Sequence, residues 1–225
     1  MSKSLYLFVA VALFLSLAGN ACAYIPRIVS GDKVLVLSPE PSQTFYGELK
    51  GQAAEFDISS ASQFNLFVNI MVPKSSNPDG RYAVNIFQVR DGKDELISFL
   101  DPGSLIWQEI WEGNGRDLYF KGPEFDRQLE PGDYKIVVTG NNNQGQYALV
   151  IGKNQAIPFD EIWKMYYVLP LLKINYFHSS VFEFLKTPFV LLGAMAVVVV
   201  FLFIDIIFYL IGKAIKKTKP KSILD

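Results

Sequence analysis

The sequence is poor in the side chains on which most enzyme chemistry depends. It has one cysteine and one histidine in 225 residues. A Ser-His-Asp or Cys-His arrangement would have to be built around His178, because each needs an imidazole to take the nucleophile's proton. His178 falls in KINYFHSSVFEF, close to a long apolar run, where it reads as a surface residue. No HExxH, GxSxG, Walker or Rossmann pattern occurs, so the motifs that carry zinc, acyl-transfer, phosphate and dinucleotide chemistry are missing. The reading is therefore of a protein that is not an enzyme, with no catalytic residue and no cofactor. N-x-[ST] sequons are also absent, which fits a prokaryotic source.

Strong net charge is lacking too, at −1 overall, but through cancellation. Residues 24–187 hold fifteen Lys and Arg against twenty Asp and Glu. An acidic N-terminal part argues against nucleic acid as its partner. The last residues are the reverse, with Lys213, Lys216, Lys217, Lys219 and Lys221 against Asp225.

What is abundant is apolar surface, half of the residues, concentrated at two places. Near the N-terminus Lys3 precedes LYLFVAVALFLSLA, and Ala21 and Ala23 stand at the −3 and −1 positions of a cleavage site. The run is short of the ~20 residues of a spanning helix and reads as a signal peptide over residues 1–23. Cleavage there removes Cys22; the other reading is that Cys22 carries a lipid. The second place is FVLLGAMAVVVVFLFIDIIFYLI, residues 189–211. At 1.5 Å per residue it covers about 34 Å, enough to cross a bilayer with some tilt. The lysines behind it stay on the cytoplasmic side by the positive-inside rule, and they also suit anionic headgroups. The expected layout is a signal peptide at 1–23, an extracytoplasmic β domain at 24–156, a juxtamembrane segment at 157–187, a spanning helix at 188–212 and a basic tail at 213–225. The protein is expected in the cell membrane as a single-pass chain.

Between Lys33 and Gly152 the sequence alternates. In FNLFVNIMV, residues Phe64, Leu66, Val68, Ile70 and Val72 share a parity, as do Tyr82, Val84 and Ile86 in RYAVNIFQV. Tyr134, Ile136 and Val138 follow the Pro131-Gly132 corner, and Tyr147, Leu149 and Ile151 follow the loop TGNNNQGQ. A period of two marks half-buried strands. Eight to ten such strands with turn signals between them predict a single antiparallel β-sandwich or jelly roll, so the fold class is mainly β. The last two runs are expected to pair as a hairpin.

The run LEPGDYKIVVT followed by GQYALVIG resembles the closing strands of the bacterial pre-peptidase C-terminal domain, a small jelly-roll-like sandwich beside secreted hydrolases and in surface proteins. AAEFDISSASQFNLFVNIMV is similar to its opening. An immunoglobulin-like or fibronectin-type domain with a tyrosine corner is the alternative. The resemblance implies a binding or accessory role, sometimes with bound calcium, and no catalysis.

Four features stand out as candidate sites. Trp107, Glu109 and Trp111 share a parity in W-x-E-x-W; they form either a binding platform for a protein or glycan, or buried indoles beside an edge carboxylate. Asp91, Asp94 and Glu95 lie in one turn, and Asp126, Glu130 and Asp133 flank the PGD corner. These read as solvated turn residues or as weak calcium candidates. Asp205 lies within the long apolar run with Tyr209 one turn later; it either meets a partner transmembrane helix or reaches toward the cytoplasmic interface. Residues 157–186 are aromatic and broken by Pro170. A helix is expected that begins near Asp160 and ends or kinks at Pro170, followed by a stretch along the membrane lipid of the outer leaflet.

Overall fold

The computed structural model describes residues 24–218, apart from residues 105, 113–116, 156, 157, 179, 181, 183, 184 and 186. The signal-peptide reading, Cys22, Lys219 and Lys221 lie outside the described residues. The chain divides into two compact units at Thr187–Pro188.

In the first unit the strands are β1 Ile25–Ile28, β2 Lys33–Val36, β3 Gln43–Lys50, β4 Ala54–Ser60, β5 Phe64–Pro73, β6 Tyr82–Arg90, β7 Lys93–Leu100, β8 Gln108–Glu112, β9 Asp117–Leu129, β10 Gly132–Gly140 and β11 Gln144–Ile151. One helix, α1 Phe159–Asn175, follows them. The strands form a sandwich of two sheets, one ordered β1-β3-β11-β5-β9-β8 and the other β2-β4-β10-β6-β7. All pairings are antiparallel except β1 with β3 and β2 with β4. The core lies where the alternating positions place it. Leu66, Val68, Ile70, Val84, Ile86, Ile136, Val138, Leu149 and Ile151 are fully buried between the sheets, because a period of two aims one parity of every strand inward.

The expected closing hairpin is not formed. β10 belongs to the five-stranded sheet and β11 to the six-stranded one. The turn Asn141–Asn143, with positive φ at Asn142 and Asn143, carries the chain across the sandwich. Tyr134 and Tyr147 therefore point into the core from opposite sheets. Alternation reports which face of a strand is buried, and is silent on its neighbour. The corner before β10 also joins the two sheets, with Gly132 at φ +153° and the Tyr134 hydroxyl donating to the Glu130 carbonyl at 2.8 Å.

Two strands differ from the alternating runs. β1 contains Pro26, which donates no ladder bond and is tolerated at a sheet edge. β9 runs through Gly122-Pro123 by a bulge, in which these two residues oppose Ile70 of β5. The buried Asn69 amide donates to the carbonyls of Gly122 and Pro123 at 3.1 and 3.2 Å, supplying the bonds that the bulge removes from the ladder.

The second unit contains α2, Pro188–Thr218. Within it, Gly193–Lys213 has a mean hydropathy of 2.9 and is long and apolar enough to cross a membrane.

Candidate functional site

Sheet faces differ in what lies over them. On β4 and β10 the positions pointing away from the core include Glu55, Asp57 and Lys135, as an aqueous face requires. On β3, β5 and β11 the corresponding positions are Tyr46, Met71, Ala148 and Val150, all buried. A strand buried on both faces needs a cover, and α1 provides it. The ring of Tyr46 meets Tyr176 edge-on at 5.2 Å and Phe177 at 6.2 Å, and Phe177 meets Tyr119 at 5.9 Å. Met165, Leu169 and Leu172 are buried with them.

Ion pairs fix both ends of α1. Near its start, the Arg27 guanidinium of β1 makes a fork with Glu161, donating at 3.1 and 3.2 Å, and Lys164 donates to the same carboxylate at 2.8 Å. Burial raises the Glu161 pKa, but the bonds and charges of Lys164 and Arg27 outweigh it and hold the group below the usual carboxylate range. Near its end, the buried Lys173 donates to both oxygens of Asp117 at 2.6 Å and lies 5.2 Å over the Phe177 ring. Burial also drives the hydroxyls of Tyr46, Tyr119 and Tyr176 well above the ordinary tyrosine pKa, so all three stay neutral. Of the two outcomes open at Pro170, an end or a kink, the helix does not end there. It runs five residues further, because packing of Leu172, Lys173 and Tyr176 outweighs the single backbone bond a proline removes. It closes where the Phe177 amide returns to the Leu172 carbonyl and His178 takes a positive φ of 50°.

Beside α1, the edges β1 and β2 of the two sheets border a cleft of about 690 Å³. Ile28, Val34, Leu35 and Leu37 line it with Arg27 and Lys164. Leu35 and Leu37 are exposed.

The W-x-E-x-W platform is not assembled as a pair of exposed indoles. Trp107 precedes β8, where strand parity does not govern it, and is buried at 8% exposure. Its Nε1–H donates to the Pro102 carbonyl at 2.9 Å, and its ring lies so close to Gly122 that a Cβ there would approach to 2.6 Å. Trp111 is exposed at 55%, and Glu109 is paired with Lys74. The acidic residues are dispersed. Asp126 accepts from Asn65 at 2.8 Å and from Lys153 in one sheet, and the Lys153 bond is the main reason its pKa is lowered. Asp94 accepts from Lys135 at 2.7 Å in the other sheet, whose β6–β7 turn carries Asp91 and whose β10 begins with Gly132 and Asp133. Among the described residues no three His, Cys, Asp or Glu side chains gather as metal ligands. Asp205, Tyr209 and Lys213 lie on α2, within or at the end of its apolar stretch, and Lys216 and Lys217 on its last turn.

Sequence reasoning misses Arg27, Glu161, Asp117 and Lys173, which are separated by 134 and 56 positions within their pairs. The available signal was the apolar off-parity residues Tyr46, Met71, Ala148 and Val150.

No family model matches the chain, and no curated protein matches it in sequence. Among solved structures, the pre-peptidase C-terminal domain of a collagenase from Bacillus anthracis aligns with 59% of this chain and 98% of its own, at 13% identity and a TM-score of 0.32. A β-glucosidase from Paenibacillus barengoltzii aligns with 57% of this chain and 13% of its own, at 13% identity and a TM-score of 0.23.

Proposed function

We propose that the chain is a membrane-tethered, non-catalytic β-sandwich that binds or scaffolds a protein partner outside a prokaryotic cell. The observation that carries this is the docking of α1 on the six-stranded sheet. It makes the segment before the apolar helix α2 part of the domain, Tyr176 and Phe177 included, and leaves residues 178–187 as the connection. A long polar stalk would give the sandwich free range; this connection keeps it within a short reach of the bilayer. The cleft between β1, β2 and α1 is the site the geometry favours, with aliphatic walls and open strand edges suited to an extended peptide.

The tethering is tested by alkaline extraction and by protease treatment of intact cells: the chain should stay with the membrane and lose residues 24–187. Binding is tested by presenting residues 24–187 to peptide and glycan arrays. Leu37→Asp should weaken a peptide signal at least tenfold while Trp111→Ala leaves it unchanged. The opposite pattern moves the site to Trp111, and arrays blank for both ligand classes overturn the binding reading.

The length and hydropathy of α2 favour a second reading, an accessory subunit of a membrane complex docked through that helix and the segment before it. Asp205→Ala should then abolish co-purification of that complex.

A further inference from the structure

The inner face of α1 is buried on the sheet, yet its outer face is apolar as well. Trp163, Tyr167, Leu171 and Ile174 are exposed at 62, 57, 43 and 48%. Their spacings of four, four and three residues put them in one stripe along the helix, about 16 Å long at 1.5 Å per residue. From Ile162 to Asn175 the helix has no acidic residue, and its two lysines are spent on Glu161 and Asp117. A helix apolar all round is one that is buried all round, and the sheet covers one side.

We infer that the stripe Trp163–Tyr167–Leu171–Ile174 seats in the headgroup and upper acyl region of the membrane that α2 crosses, so that α1 lies between the sandwich and the lipid. This rests on the reading of α2 as a span. Two observations select lipid as the occupant. The first is reach. Residues 178–187 cover at most about 36 Å when extended, so the stripe is held at high local concentration beside a bilayer and needs little intrinsic affinity. The second is chemistry. Trp and Tyr at one end with Leu and Ile toward the other is the composition of the membrane interface, where indole and phenol keep a polar tip at the headgroups. The acidic charge of the first unit opposes a purely electrostatic attachment to anionic lipid, so the contact is an apolar one.

The test uses the full chain in vesicles of phosphatidylcholine and phosphatidylglycerol, three to one, with a spin label high on the acyl chain. Trp111→Phe leaves Trp163 to report over the buried Trp107; Trp163→Phe leaves Trp111 as the matched aqueous control. The Trp163 reporter should lose at least twice as much emission to the label as the Trp111 reporter, and be at least threefold less sensitive to acrylamide. Adding Leu171→Asp and Ile174→Asp, both at exposed positions, should remove the difference. Equal quenching of the two reporters overturns the inference. So does a Trp163 shielded from label and acrylamide alike, which assigns the stripe to a protein surface. Alkaline extraction of the same vesicles separates the two levels: a chain that is retained but unquenched sinks only this inference, and a chain that is released sinks the span with it.

Discussion

At the scale of single residues, the sandwich depends on aromatic rings laid against glycine and against backbone carbonyls. Trp107 occupies the space a side chain at 122 would need. Gly122→Ala should therefore cost about 1–3 kcal/mol, the range for overpacking, read from the midpoint of denaturant unfolding; Trp107→Leu should remove most of that cost while adding its own. Tyr134 acts differently. Its ring packs in the core against Phe64 at 5.6 Å, and its hydroxyl ties the corner to Glu130. Tyr134→Phe keeps the first and loses the second, for about 1 kcal/mol. These two positions also show how far sequence reasoning carries. The place of Tyr134 in the core was legible, because period two is a property of the chain alone. The burial of Trp107 was not: it lies outside its strand, and its partner Gly122 belongs to a bulge that sequence patterning does not announce.

At the scale of elements, α1 is held by charges that the interior must neutralise. Asp117→Ala removes one member of a buried pair and should cost on the order of 3 kcal/mol, whereas Asp117→Leu with Lys173→Met should recover most of it. Thermal melts of the three chains decide this. The other pair gives a pH dependence with a definite sign. Because Glu161 titrates lower when folded, its contribution is complete above the unfolded value of about 4.3 and is lost as pH falls through the folded one. Stability should therefore drop on acidification in that window, and less steeply in Glu161→Gln. Neither pair could be read in advance, since long-range ion pairs leave no periodic trace. The sandwich itself, the buried parity of its strands and the apolar helix did leave such traces. The neighbours of β10 and β11 did not, because a crossing between sheets and a hairpin use the same turn residues.

At the scale of the whole molecule, the domain does not end with its last strand. A fragment stopping at residue 155 would uncover Tyr46, Met71, Ala148 and Val150 on the six-stranded sheet and should self-associate in size-exclusion chromatography, while residues 24–187 should not. The way α1 is attached has a mechanical side as well. Tension arriving from residue 188 acts first on Tyr176, Phe177 and Lys173, and only after the helix has peeled away to Glu161 does it reach β11, a strand paired on both sides. Pulled through its C-terminal end, the domain should yield in two steps, a small early extension at low force and a large one later, so that α1 serves as a shock absorber between the sandwich and whatever pulls on the segment that follows it.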